Sequence, residues 1–127
     1  MPLDAYDLKL LALLQADGKR PQRQLAEAVN LSPSAVNRRI AALEAQGVIS
    51  ATVAVVEPVA VQRPTTIVVQ VTLENERIDL LDAVRRRFVE CPQVQQVYYV
   101  TGDFDFLLIL NVRDMAEYEQ LTRALFF

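Results

Sequence analysis

Residues 31–49 read LSPSAVNRRIAALEAQGVI. Ser32 is a natural N-cap and Pro33 suits the first position of a helix. Val36, Ile40 and Leu43 recur at i, i+4 and i+7, which makes one apolar helix face. At about 100° per residue, the opposite face carries Ser34, Asn37, Arg38, Ala41 and Ala45, with Arg39 on the flank. Gly47 ends the helix as a natural C-cap residue.

Two more helices precede this one. The first starts at Leu3-Asp4, with Asp4 as cap, Asp7 at the third helical position, and Leu3 and Leu8 spaced as a hydrophobic staple. Leu8, Leu11 and Leu14, flanked by Leu10 and Leu13, form its apolar side, and Asp17-Gly18 stops it. The second starts near Pro21, carries Leu25, Ala28 and Val29 inward, and ends at Asn30, with Leu31 filling the turn. Two short helices, the second of them polar on its outer side, make a helix-turn-helix. A helix that reads a DNA groove must bury one face and present small and hydrogen-bonding side chains on the other. Ser34, Ala41 and Ala45 permit close approach. Asn37 suits base edges, and Arg38 suits guanine or phosphate. Ser32 opens a helix N-terminus that favours phosphate, with Lys19, Arg20, Arg23 and Arg39 near the backbone. On periodicity alone, DNA binding and an ordinary solvated helical pair fit equally well.

Past Gly47 the pattern changes. Val48-Ile49 and Ala51 to Val56 are β-branched and read as a wing strand or connecting ribbon. Glu57-Pro58 to Arg63-Pro64 reads as a linker. Thr66 to Leu73 alternates as a strand, with Ile67, Val69, Val71 and Leu73 on one side. A polar turn at Glu74-Asn75-Glu76 leads to a helix marked by Leu81, Val84 and Phe88. Its run Arg85-Arg86-Arg87 reads as a solvated face. Val94 to Thr101 and Phe104 to Val112 are strands joined at Gly102-Asp103. A last helix has Asp114 as cap and Glu117 at the capping-box position. Phe106 to Leu110 is apolar on both faces. Helices cover one face of so small a sheet, and a partner subunit is the simplest cover for the other.

The order strand, helix, strand, strand, helix is a ferredoxin-like βαββαβ unit without its last strand. The expected fold is therefore α+β: a winged helix-turn-helix followed by a ferredoxin-like βαββα(β) effector and dimerisation module. The corresponding divisions are 1–50, a wing strand and linker at 51–64, and 65–127. A chain that stops on Phe126-Phe127 within a helix reads as a truncated form. Loss of the last strand would leave Thr66–Leu73 as an exposed edge.

The totals narrow the chemistry. The 127 residues are 52% hydrophobic, with 13 Lys and Arg against 16 Asp and Glu. That composition suits a packed domain and not a disordered tail. Residues 1–50 hold six basic and five acidic side chains, and the remainder seven and eleven. An acidic average therefore does not exclude a local basic surface for DNA. There is no histidine, so nucleophile schemes lose their usual base and zinc its commonest nitrogen ligand. Cys91 is the only cysteine. It excludes an internal disulfide and reads as a packed residue, since no activating neighbour is evident. No cofactor is expected, no secretory signal or membrane span is visible, and the expected location is cytoplasmic.

Several short motifs resemble the leucine-responsive/asparagine-synthetase regulator (Lrp/AsnC) family. They are Leu3-Asp4-Ala5-Tyr6-Asp7 with Leu10-Leu11, Leu25-Ala26, Leu31-Ser32-Pro33, Arg38-Arg39, Leu43-Glu44 and Gly47-Val48-Ile49. Cys91-Pro92-Gln93-Val94 and Thr101-Gly102-Asp103-Phe104-Asp105-Phe106-Leu107 continue the match. The resemblance spans essentially the whole chain. It implies a sequence-specific regulator that binds promoter DNA, answers to an amino acid or related metabolite, and assembles as a dimer into tetramers or octamers. It places the effector near the turn, at Tyr99, Thr101, Gly102, Asp103 and Asp105. A tight turn at Gly102 exposes N–H groups to a carboxylate, and Asp103 or Asp105 can accept from an ammonium. Gly-Asp between strands is equally an ordinary hairpin signal. Two other functions compete. One is a metabolite-sensing module whose helices bind protein. The other is a small enzyme using Asp103 and Asp105, which the lack of histidine and of any metal constellation opposes, so no enzymatic activity is expected.

Overall fold

The computed structural model describes residues 2–74 and 77–126, and the chain divides into two compact units at Ala54/Val55. The first unit holds α1 (Ala5–Ala16), α2 (Gln22–Val29) and α3 (Pro33–Ala45). Their core is Leu10, Leu25, Ala26, Val29 and Val36, with Leu13, Leu14, Leu31 and Ile40 packed around it. The i, i+4, i+7 face of α3 is thus the buried one. Leu8, expected to staple the start of α1, is instead 57% exposed.

The helix ends follow local chemistry. Ser32 caps α3, its hydroxyl accepting from Ala35 N–H at 3.2 Å, with Pro33 in the first turn. Pro21 is the N-cap of α2 and lies outside its first turn. Asn30 takes the left-handed conformation (φ 58°) that closes α2. At the end of α3 the capping residue is Gln46, and Gly47 follows at φ 76°. Gly47 N–H then reaches Glu44 O at 3.1 Å and Val48 N–H reaches Leu43 O at 2.9 Å. This paired closure needs a residue at ease with positive φ.

A charged clamp joins α1 to α3. Asp4 and Asp7 form a capping box: Asp7 N–H donates to Asp4 Oδ1 at 2.9 Å and Asp4 N–H to Asp7 Oδ2 at 3.2 Å. Arg39 Nη1 donates into the same box, to Asp4 Oδ2 at 2.6 Å and Asp7 Oδ1 at 3.1 Å. Its guanidinium carbon also stands 5.1 Å from the centre of the Tyr6 ring, a cation–π distance. The hydrogen bond from Arg39, with the Asp7 N–H, holds Asp4 below the usual carboxylate range. The same pairing raises Arg39.

Residues 51–57 form no strand, which departs from the expected wing strand. A ribbon needs a partner for its backbone groups. The chain supplies none here, and Val53 and Val55 are 75% and 96% exposed. The linker that follows contains a compact turn, with Arg63 N–H bonded to Pro58 O at 2.8 Å.

The second unit contains β1 (Thr65–Val71), α4 (Ile78–Val89), β2 (Val94–Tyr99), β3 (Phe106–Val112) and α5 (Met115–Phe126). The polar turn expected at residues 74–76 lies outside the described residues at Asn75 and Glu76. The sheet order is β1-β3-β2, both outer strands antiparallel to β3. This is the split βαβ arrangement of a ferredoxin-like unit. A bulge between Val94 and Gln96 interrupts the β2–β3 register. Phe106, Leu108, Leu110 and Val112 alternate inward along β3 and are buried to 1% exposure or less. Leu81, Val84 and Phe88 of α4, and Tyr118, Leu121 and Leu125 of α5, pack on that face. Phe88 meets Phe106 edge-on at 5.5 Å and Phe126 at 5.9 Å.

The other face of the sheet is uncovered by the described residues. It carries Val68 and Tyr98, 60% and 49% exposed, on either side of Ile109 and Leu107. Asp114 caps α5 as expected, accepting from Glu117 N–H at 2.9 Å. The Glu117 carboxylate turns to Arg113, accepting from its Nε at 2.6 Å and its backbone N–H at 3.4 Å. No described helix is long and apolar enough to cross a membrane.

Two measurements check this packing. Phe88→Ala should destabilise the second unit by about 3–5 kcal/mol, read from urea unfolding; a loss under about 1 kcal/mol would mean the ring is not a core anchor. The clamp carries an acid dependence. Asp4 is depressed in the folded chain, so its contribution is complete above the ordinary carboxylate value and is lost as pH falls through the lower folded value. Acid unfolding of the first unit should therefore be less steep in Asp4→Asn than in the parent, and identical acid profiles would contradict the clamp.

Candidate nucleic-acid interface and effector turn

The outward face of α3 is free of the core. Ser34, Asn37, Arg38, Ala41 and Ala45 are all exposed. Three of the five are small, so a groove can approach the helix backbone along its length. Ser32 spends its hydroxyl on the cap and lies 3.2 Å from the Ser34 hydroxyl. Gln22, the first residue of α2, donates its side-chain amide to Asn37 Oδ1. Sequence reasoning missed this contact, which steers Asn37 from the neighbouring helix and leaves its NH2 donors available. Arg23 is a surface cation, 3.7 Å from Glu27 and 89% exposed, a pair of little energetic weight. Arg20 is partly exposed beside the turn after α1, its N–H bonded to Asp17 O at 3.2 Å.

Arg39 stands apart from this group. It was expected beside the DNA backbone, but its guanidinium is engaged by Asp4 and Asp7 and backed by Tyr6. Periodicity places Arg39 on the flank of α3 without revealing which element lies opposite. The two aspartates three residues apart were legible as a cap; their arginine partner was not.

In the second unit, the turn between β2 and β3 is tied from one side. Val100 N–H donates to Asp105 O at 2.9 Å, and Asp105 N–H to Val71 O at 2.9 Å. Asp105 Oδ2 accepts from Leu73 N–H at 2.7 Å. One oxygen of this carboxylate, which was expected to receive a ligand ammonium, is thus engaged by the end of β1. Thr101, Gly102 and Asp103 are exposed. Gly102 has φ 119° with open space around it. Tyr99 is 62% exposed and packs its ring edge-on to Phe106 at 5.6 Å. Of the five expected effector residues, the turn brings Tyr99, Thr101, Gly102 and Asp103 to the surface and turns Asp105 inward.

Known proteins carry the same two units. Residues 3–50 match the winged helix-turn-helix DNA-binding family, and residues 66–127 match the Lrp/AsnC ligand binding domain. The HTH-type transcriptional regulator y4tD of Sinorhizobium fredii is 44% identical over 127 residues, which is 100% of this chain and 75% of that protein. A crystal structure of an AsnC family transcriptional regulator from Agrobacterium tumefaciens superimposes with a TM-score of 0.89 at 33% identity, covering 97% of this chain and 80% of that one. A transcriptional regulator of Neisseria meningitidis, solved as a complex with L-Met, superimposes with a TM-score of 0.86 at 28% identity, covering 95% and 78%. The chain therefore belongs to the Lrp/AsnC family of transcriptional regulators, a DNA-binding helix-turn-helix followed by a ligand-binding module.

Proposed function

We propose that the chain reads a promoter or operator sequence through the exposed face of α3 and changes its DNA affinity when an amino acid or related metabolite binds the second unit. The observation that carries this reading is the exposed run of small and hydrogen-bonding residues on a helix whose other face packs into the core through Val36, Ile40 and Leu43. Asn37 and Arg38 make the base contacts. Ser32, Ser34, Arg20 and Arg23 face the phosphates, where a helix N-terminus adds its own positive end.

The effector binds at the β2–β3 turn, where Gly102 N–H and its neighbours suit a carboxylate. Asp103 is the exposed carboxylate that meets an ammonium, while Asp105 already gives one oxygen to Leu73 N–H. The regulator solved with L-Met supports an amino acid as the class of ligand. The chain acts by binding and not as an enzyme, and works in the cytoplasm.

Its assembly is a homodimer that builds tetramers or octamers. The uncovered sheet face of Val68, Leu107, Ile109 and Tyr98 supports a second copy as its cover. Ligand then acts by favouring one spacing of paired recognition helices over another.

The test is a fluorescence-anisotropy titration against the duplex upstream of the chain's own gene, beside a scrambled duplex, at about 150 mM salt. Tighter binding to the native duplex is expected, and Arg38→Ala should cost about 1–3 kcal/mol of it. Equal, weak binding to both duplexes would favour a helical pair that binds protein. Gly102→Val forces a side chain into a positive-φ conformation. It should abolish the response to an amino acid while DNA binding persists, and a normal response would remove the turn as the effector site.

A further inference from the structure

Arg38 and Arg39 are adjacent in sequence but differ in every respect that matters for contacting DNA. Arg38 is exposed on the outward face of α3. Arg39 is displaced from the centre of that face by roughly 145° of arc, at 3.6 residues per turn. It sits nearer the buried stripe of Val36, Ile40 and Leu43. Its side chain is 31% exposed, and one Asp7 carboxylate it holds is 16% exposed.

Its partners are unusually well fixed. Each aspartate is already bound to the backbone of the other through the capping box. The acceptors that receive Arg39 are therefore part of the frame of α1, and they lose little side-chain freedom in binding it. Tyr6 from the same first turn backs the guanidinium. Two carboxylates against one cation leave this cluster with a net negative charge. A phosphate approaching it meets repulsion and would have to displace two close ion pairs.

We propose that Arg39 is a positioning residue for sequence recognition: by clamping α3 to the capping box of α1, it sets the angle at which Asn37 and Arg38 meet the groove, and it makes no DNA contact itself. The inference rests on the DNA-binding reading of α3 and adds to it the device that orients the reading helix. Helix α3 has its core contacts along one side only. A stripe of aliphatic side chains resists separation from the core but tolerates rotation about the helix axis. A directional charged contact on the flank opposes that rotation.

The two roles for Arg39 predict opposite signs. If Arg39 touched phosphate, replacing Asp4 and Asp7 by Asn would free it and remove two repelling charges, and binding would tighten. If Arg39 positions α3, the same change loosens the reading helix and discrimination falls. Asparagine remains a good N-cap, so the helix start is kept while the charge goes. The experiment uses the full chain, the native and scrambled duplexes, and a salt series. Arg39→Lys, the Asp4→Asn/Asp7→Asn pair and the triple variant are compared with the parent.

Arg39→Lys keeps the charge but loses the guanidinium set against the Tyr6 ring and changes the reach by which Nη1 meets both aspartates. Arg39→Lys and the double Asn variant should each reduce the preference for the native duplex by about tenfold, a coupling of ordinary size for a close charged pair. The triple variant should be no worse than Arg39→Lys alone. The salt slope of the native complex should stay at the parent value in all three, because no phosphate contact is lost. Tighter binding of both duplexes by the double Asn variant would overturn the proposal, as would a slope reduced by about 0.9 in the Arg39→Lys chain. Absence of any preference in the parent would overturn the DNA reading itself, and that arm is independent of the variants.

Discussion

The second unit depends on one strand. β3 is hydrogen-bonded along both edges and buried along one face, so its backbone groups are satisfied and its inward side chains are dry. Removing polar backbone from water without partners costs several times what a typical hydrogen bond contributes. Only the central place in the sheet accommodates seven residues of this composition. That place then dictates the rest. β1 and β2 must flank it, both antiparallel to it, and the connection between them must cross over the sheet as α4. The last helix, α5, shares the same buried face, and Phe88 links the two helices to Phe106.

The first unit reaches a similar economy with fewer contacts. Its core is a handful of aliphatic side chains, and α3 lends only one side to that core. The ends of the helices are therefore more than punctuation. The capped start of α1 provides the acceptors for Arg39, and the paired closure after Gly47 fixes where the chain leaves α3. Stability and the setting of the exposed face of α3 come from the same local features.

Much of this was legible in the sequence. Helix positions, the buried stripe of α3 and the alternation of β1 and β3 follow from the spacing of apolar residues, which reflects how each element meets its core. Asp4, Ser32, Asn30 and Asp114 were readable because capping is a local hydrogen bond between residues three or four apart. What stayed hidden was non-local. The Arg39 clamp spans α1 and α3, the Gln22–Asn37 contact spans two helices, and Asp105 turned inward because β1 ends where its carboxylate can accept Leu73 N–H. The expected wing strand failed for a related reason. β-branched residues favour a pleated surface, but a strand exists only where another strand receives its hydrogen bonds, and 51–57 has none in the chain. For Glu117 the local partner was Arg113, which gives the carboxylate both its Nε and its backbone N–H.

The carboxylate of Asp105 has a wider consequence. It holds the last N–H beyond β1 while its own backbone N–H holds Val71 and its carbonyl holds Val100. The ends of β1 and β2 are thus both staked at one residue, a few positions from the exposed glycine turn. Loops that bind small molecules usually surrender mobility when they do so, and that ordering subtracts from affinity. Here the rim beside the turn is held by hydrogen bonds made within the chain itself. A ligand at the turn, on the reading proposed above, would meet a surface already tied to the ends of β1 and β2.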